Sequence, residues 1–550
     1  MQDNGSWQGP AYVWRNGGIR NSYFQEIYFG DGFDVVIDSS NARYAYAMSQ
    51  RGYVGRVDLQ TGHANFIRPA NPTGERLRFN WNAAIAHDPF DDETVYFGSQ
   101  FLHKSTNRGD SWQIISPDLT TDDPEKQRQH DSGGLTIDAT GAENFTTITA
   151  IAPSPLERGL IWVGTDDGNV QLTRDGGKSW SNVVDNMDGV PKGSWVTQVH
   201  ASGYNAGEAV VVINNYRRGD WSPYVMKTED YGRSWENIVG EKGLYGYALS
   251  FVQDPVEPNL MFTGTEMGLY VSIDGGNTWT EWTQEYPTVS TYDMTIHPRE
   301  HDLVIGTFGR SAWVLDDIRP LRAIAANGAG QLENTVNIYP APDAYLASIH
   351  EASGTRFAAD AIFKGENRPF GARLTYSVVK PEKQVDTAGE RSGEEKTKPD
   401  EEEEKVTIEI FNRQGEKIRT LQEVPEHDGI NRTTWDLTEK GVHGPSRQKP
   451  DPEAPEPSGP EVLPGTYKVK VTYRGASDST NVRVHFDPRI EVRMADLRAR
   501  KLMSKARKAA DDVINKVNNF FESDWPQYVR SIESAELSPF KEVETVTLDE

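Results

Sequence analysis

The stretch TRDGGKSW, Thr173–Trp180, is one of four short segments built to one pattern. The others are STNRGDSW (Ser105–Trp112), TEDYGRSW (Thr228–Trp235) and SIDGGNTW (Ser272–Trp279), so the shared text is [ST]-x-[DN]-x-G-x-[ST]-W. Each position has a task in a tight turn. The short carboxylate or amide (Asn107, Asp175, Asp230, Asp274) accepts backbone N–H groups, and the glycine (Gly109, Gly177, Gly232, Gly276) tolerates positive φ. The hydroxyls satisfy further turn groups. The tryptophan (Trp112, Trp180, Trp235, Trp279) offers a large apolar face and one N–H to fix the turn against a neighbouring layer. No group is left over to attack a substrate, so these residues read as structural, with the tryptophans mostly buried between strands.

Working outward, a strand-like apolar run ending in Gly and a small polar residue recurs as VYFGSQFLHKS from Val95, IWVGTDDGNVQLT from Ile161, MFTGTEMGLYVS from Met261 and LVIGTFGRSAWVL from Leu303. Each follows a proline turn: IAHDPFDDETV, IAPSPLERGLI, FVQDPVEPNLM and IHPREHDLV. The last copy replaces the boxed turn with DDIRP, and Ile27–Arg68 reads as a further unit without the box. Units of three to four short strands repeating at roughly 45 to 70 residues are the pattern of β-propeller blades. About six blades are expected between residues 20 and 322, with QDNGSW as the tail of an earlier one.

The boxes and the text QDNGSWQGP, FNWNAA, GTDDGNVQLTRDGG and HPREHDLVIGTFGR resemble the BNR (Asp-box) repeats of exported bacterial proteins known as sortilin-like propellers or BNR-repeat glycosyl hydrolases. The resemblance covers about residues 1–325. It implies a further propeller region and a signal peptide ahead of this segment, and hence a secreted or cell-envelope product, although Met1 leads into QDNGSWQGP with no secretory signal in this chain. The cysteine-rich module of eukaryotic sortilins has no counterpart, because the sequence contains no cysteine. No arginine cluster with a Tyr/Glu pair of sialidase type is recognisable.

Composition narrows the partners. With 57 Lys+Arg against 82 Asp+Glu the net charge is −25, which disfavours nucleic acid. No apolar run approaches the ~18 residues of a membrane span. No cofactor and no metal centre are expected; His297, Glu300 and His301 in HPREHD read better as a turn than as ligands.

Beyond the propeller, residues 326–486 alternate with period two in GARLTYSV, KVTIEIFNRQGEKIRTL, NRTTWDL and GTYKVKVTYRG, which predicts an immunoglobulin-like β-sandwich. Two insertions are expected to stay disordered: 381–404, with ten acids and four bases, and 447–464, with six prolines. Residues 487–550 form a tail in which Leu497, Leu502, Ala506, Val513, Ile514, Val517 and Phe521 follow a helical period. The fold class is therefore all-β, a propeller followed by a sandwich and a short C-terminal helical segment.

Two functions fit. The first is a scaffold binding a peptide or glycan on the loops around the propeller axis, with Asn80, Trp81, Arg217, Arg218, Trp221 and Arg310 as ligand-binding candidates. The second resembles the family 74 glycoside hydrolases, whose paired propellers hold a polysaccharide between them, and would need two carboxylates as acid and base. Asp31, Asp34, Asp131, Glu143 and Asp167 are the candidates, with Asp166 and Asp167 as ready to cap a turn as to face a ligand.

Overall fold

The run AVVVINN is buried along its whole length, Ala209–Asn215, and so are Val95–Gly98, Ile161–Thr165 and Met261–Thr265. A strand apolar on both faces must be covered on both faces, which happens when it sits mid-sheet and the sheets stack side by side. The computed structural model describes residues 3–38, 41–128, 144–240, 242–347, 349, 364–381, 404–441 and 454–534. It divides into two units: residues 1–11, 19–328 and 358–365, and residues 12–18, 329–357 and 366–550.

In the first unit, six sheets follow one another among the described residues, each an antiparallel meander in chain order. Sheet 1 comprises Val35–Ile37, Tyr44–Ser49, Tyr53–Asp58 and His63–Phe66; sheet 2 comprises Ile85–His87, Val95–Gly98, Leu102–Ser105 and Gln113–Ile114. Sheet 3 is Ile148–Pro153, Ile161–Thr165, Val170–Thr173 and Ser181–Asn182; sheet 4 is Trp195–Ala201, Ala209–Asn215, Asp220–Thr228 and Glu236–Asn237. Sheet 5 is Ala248–Gln253, Met261–Thr265, Leu269–Ser272 and Thr280–Glu281, and sheet 6 has three strands, Thr291–Ile296, Leu303–Thr307 and Ala312–Leu315. Ser6–Gln8 pairs with Gln25–Tyr28 outside this series.

The apolar cores lie between consecutive sheets. Trp162 and Val170 of sheet 3 share one with Val196, Val211 and Met226 of sheet 4, and Val210 and Val225 of sheet 4 share the next with Phe251 and Met261 of sheet 5. First strands of successive sheets lie side by side from sheet 1 to sheet 6. Asp293 of sheet 6 lies within electrostatic reach of Asp34 at the start of sheet 1, which brings the series round on itself. The architecture is propeller-like, with the first strands innermost.

Close approach of these first strands explains the recurrent glycine. A β-carbon on Gly164 would meet Val196 Cγ1 at 2.3 Å, one on Gly98 would meet Ile148 Cγ2 at 2.6 Å, and one on Gly264 would meet the Thr291 carbonyl at 2.4 Å. The second strands of sheets 2, 3 and 5 thus leave room for the first strand of the next sheet. The first strands of sheets 3 to 6 also share a β-bulge, with the register shifting across Ile148/Ala150, Val196/Gln198, Ala248/Ser250 and Thr291/Asp293. The extra residue is Thr149, Thr197, Leu249 or Tyr292, and Thr149 Oγ1 donates to the Val196 carbonyl of the next sheet at 2.6 Å.

The four boxed turns join third to fourth strands. In each, the first hydroxyl accepts the glycine N–H and the third residue accepts the N–H of the residue before tryptophan: Gly177 N to Thr173 Oγ1 at 2.9 Å, Ser179 N to Asp175 Oδ1 at 2.9 Å. Asn107, Asp230 and Asp274 make the same bonds. The boxes also tie each sheet to the one before. Trp112 Nε1 donates to the Ile67 carbonyl at 2.6 Å, Trp180 Nε1 to Ile115 at 3.2 Å and Trp279 Nε1 to Ile238 at 2.9 Å, whereas Trp235 Nε1 turns back onto Gly232. The four tryptophans are half-buried, not mostly buried as expected.

After sheet 6, helix α1 (Arg319–Asn327) begins with Pro320 and stops at Gly328, whose φ is 87°. Its buried Arg322 reaches Asp254, which is fully buried, through Nε at 2.9 and 2.8 Å.

In the second unit, a three-stranded sheet (Val336–Ile338, Ala372–Val378, Gly429–Trp435) and a five-stranded sheet (Ala344–Leu346, Ala476–Phe486, Gly465–Tyr473, Val406–Phe411, Lys417–Glu423) share one core around Leu374, Tyr376, Ile408, Val469 and Trp435. Of the stretch expected to be disordered at 447–464, residues 447–453 lie outside the described residues, but Ser458–Glu461 is a strand paired with Thr438–Lys440, which corrects that expectation. The physical reason is anchoring that composition does not show: Val462 is buried, and Arg419 Nη1 binds the Pro457 carbonyl at 2.5 Å. Residues 382–403 of the acidic insertion lie outside the described residues. The unit ends in helices α2 (Met494–Asn519) and α3 (Trp525–Ser534), and Leu502, Val513 and Val517 on α2 are exposed.

Candidate binding face

A meander places the lead-in to the first strand and the turn between second and third strands at one end of each sheet, and the boxed turns at the other. Nearly all candidate residues fall at the first end. Asp31 and Asp34 precede sheet 1, Asn80 and Trp81 precede sheet 2, Asp166 and Asp167 form the sheet 3 turn, Arg217, Arg218 and Trp221 the sheet 4 turn, and Arg310 the sheet 6 turn. Asp131 and Glu143 lie outside the described residues.

On the side of sheets 1 to 3 the polar groups satisfy one another. Asp166 accepts from Thr147 N at 2.9 Å, Thr147 Oγ1 at 2.6 Å and Asn80 Nδ2 at 3.1 Å. Burial, then the neighbouring Asp167, pushes its carboxyl up to about 8 against these bonds. Asp167 accepts from Thr121 N at 2.7 Å and from the Thr121 and Thr165 hydroxyls, both at 2.6 Å. Asp31 accepts from Trp81 Nε1 and Asp3 N, both at 2.9 Å. These carboxylates hold three lead-in loops together.

Asp34 stands apart. Burial and then Asp293 push its carboxyl up to about 7, opposed by the N–H groups of Ile85 and Val35. Asp293 is solvent-accessible yet closely enclosed, as a channel wall is, and its carboxyl is also raised by burial. Arg310 is exposed, and its carbonyl accepts Trp313 Nε1 at 3.0 Å. His297 caps its own turn through Nδ1, accepting Glu300 N at 3.1 Å, and His301 Nδ1 lies 2.8 Å from Arg322 Nη1. No group of three metal-ligating side chains occurs among the described residues, and no described helix is long and apolar enough to cross a membrane.

No family model matches the chain, and no curated protein matches it. Solved structures similar to it include a GH74 enzyme from Niastella koreensis, at 13% identity and TM-score 0.31 over 52% of this chain and 52% of that one. A GH74 xyloglucanase from Xanthomonas campestris matches at 15% identity and TM-score 0.32 over 57% and 54% of the two chains. An auxiliary nutrient binding protein from Bacteroides thetaiotaomicron matches at 8% identity and TM-score 0.33 over 50% and 67%. The chain spans about half the length of the two GH74 enzymes.

On the side of sheets 4 to 6 the same face is aromatic. Arg217 lies over the rings of Trp195 at 4.0 Å and Tyr216 at 4.5 Å, and Tyr216 stacks on Tyr247 at 4.4 Å with planes 17° apart. Trp221 stands 5.6 Å from Tyr247 and 55% exposed, and Tyr292 and Phe308 make a second exposed pair at 6.1 Å. Arg218 is committed to the backbone, donating to the carbonyls of Lys192 at 2.7 Å and of Gly193. Asp220 is likewise spent, accepting from Tyr224 Oη at 2.8 Å and Ser222 N at 3.1 Å. Of this cluster the sequence singled out Arg217, Arg218 and Trp221. Trp195, Tyr247, Glu266 and Tyr292 were missed; Tyr247 and Glu266 occupy in sheet 5 the positions of FNWNAA and GTDDGN, whereas Trp195 and Tyr292 lie within the first strands of sheets 4 and 6.

Proposed function

We propose that the first unit is a BNR-type propeller scaffold that binds a peptide or glycan on the loop face around its axis. In this reading the four boxes are Asp-box turns, the second unit is an immunoglobulin-like spacer with a C-terminal helix, and the full product is exported. The carrying observation is the aromatic cluster in which Trp221 is exposed and Tyr216 and Tyr247 are half-buried, with Arg217 beside it. Rigid aromatic side chains give large contact area at low entropic cost, and several sheets contribute to one surface. Binding is favoured over hydrolysis because Asp31, Asp166 and Asp167 are already hydrogen-bonded within the face. The test is a binding screen of the full chain against oligosaccharide and peptide libraries, followed by hydrogen exchange with the best ligand. Protection should appear in residues 193–221 and 245–247; protection confined to the boxed turns would refute the reading.

A further inference from the structure

Three tyrosines converge on this face without using their hydroxyls. Tyr216, Tyr247 and Tyr292 lie within electrostatic reach of one another, with Arg217 and Glu266 in the same group. None of the three hydroxyls makes a hydrogen bond among the described residues, nor does the Arg217 guanidinium or the Glu266 carboxylate. Elsewhere on the face such groups are consumed: Asp167 takes three donors, Asp220 binds Tyr224 and Arg218 binds two carbonyls. The Glu266 carboxyl is raised by burial, and Tyr292, though 53% exposed, is enclosed enough that its phenol is also raised. The spot therefore holds a free donor, a free acceptor and three hydroxyls that can be either, set among ring faces.

That combination fits one ligand chemistry. A peptide taken up by strand addition is held chiefly through its main chain, by a sheet edge. Here the free groups are side-chain hydroxyls, a guanidinium and a carboxylate bordering the faces of Tyr247 and Trp221. A pyranose ring presents a C–H face to an aromatic ring and a rim of hydroxyls to polar groups at its edge. We propose that Tyr216, Arg217, Trp221, Tyr247, Glu266 and Tyr292 form a subsite for a neutral sugar residue of a glycan, the ring stacking on the exposed Trp221 with Tyr247 beside it and its hydroxyls bridging Glu266 and Arg217. This deepens the loop-face reading and rests on it.

The experiment uses the full chain with neutral β-1,4-linked gluco-, xylo-, manno- and N-acetylgluco-hexasaccharides as probes, read by calorimetry and by tryptophan fluorescence. At least one should bind. Trp221→Ala should weaken it by about tenfold or more, and Glu266→Gln measurably less, since stacking area outweighs one edge hydrogen bond. Asp175→Asn, at the opposite end of the sheets, should leave it unchanged. Trp221 is a surface residue; if its alanine variant fails to fold, Trp221→Phe and Glu266→Gln give the same ordering. Hexasaccharide binding that survives both Trp221 and Glu266 substitutions overturns the subsite while leaving the loop face standing. So does a face that takes peptides and none of the sugars. Failure to bind either class overturns both.

Discussion

Replacing Gly164 by alanine tests how the sheets are spaced. The added methyl would lie 2.3 Å from Val196 Cγ1, 2.9 Å from Val196 Cβ and 3.4 Å from Ala150 Cβ. Carbon atoms rest at about 3.5 to 4.0 Å, so Val196 or its whole strand must retreat by more than ~1 Å. Val196 is fully buried and its β-branched side chain has few rotamers to try. Overpacking of this kind costs about 1 to 3 kcal/mol, against a gain of ~0.5 to 1 kcal/mol from removing glycine's flexibility in the unfolded chain. A net loss of about 1 to 2 kcal/mol is expected, read as a lower urea midpoint of the first unit at unchanged slope. The double variant Gly164→Ala/Val196→Ala supplies the control. Removing the valine methyls should cost ~2 kcal/mol alone but relieve the clash, so the pair should be no less stable than Val196→Ala by itself. A neutral or stabilising Gly164→Ala, or strictly additive losses in the double variant, would refute close approach of first strands as the reason for the recurrent glycine.

Other consequences can be measured directly. Because the Asp166 carboxyl is raised to about 8 in the folded chain from an ordinary value near 3.8, its contribution to stability is complete below about pH 4 and declines by up to ~1.4 kcal/mol per unit as pH rises to about 8. Asp166→Asn should flatten that slope in urea midpoints taken between pH 4 and 9, and a slope identical to the parent's would contradict the assignment. Asp175 has the opposite sign, held down to about 2 by its bonds to Ser179, so its support is lost only as pH falls below about 4. Asp175→Asn should be tolerated, since Asn107 fills that position in the first box, whereas Asp175→Ala should speed amide exchange at Gly177 and Ser179. Arg322→Met should cost about 3 to 5 kcal/mol by leaving Asp254 a buried charge without its cation, and exchange in α1 should rise first. Equal exchange in α1 of parent and variant would show that the pair does not anchor the helix.

The boxed turns were legible because their hydrogen bonds are local: Thr173, Asp175, Gly177 and Ser179 satisfy one another within seven residues. The sheet series was legible for a related reason, each unit being a meander of neighbours. What stayed hidden depends on partners far along the chain. Asp31 is held by Trp81, fifty positions on, and Asp166 by Asn80, eighty-six positions back, so two candidate acids turned out to be hydrogen-bonded within the loops. The aromatic cluster draws on sheets 4, 5 and 6, and no local pattern joins Trp195 to Tyr247 or Tyr292. The strand Ser458–Glu461 was obscured by its prolines, which describe the segment's own preferences and not the Arg419 contact that holds it.

The shared bulge has a consequence for how such a surface can change. In Thr291–Ile296 the side chains run buried, exposed, exposed, buried, exposed, buried, so Tyr292 and Asp293 both face outward where plain alternation would allow one. Thr149, Thr197, Leu249 and Tyr292 hold the same slot with different chemistry while the pairing on either side is kept. Tyr292 presents its side chain outward from this slot, whereas Leu249 is buried in it and Thr149 spends its hydroxyl on the next sheet. Deleting Tyr292 would leave buried, exposed, buried, exposed, buried, a regular alternation with every remaining side chain on its present face and one outward side chain fewer. The bulge therefore adds one outward side chain to this strand without disturbing the pairing on either side of it.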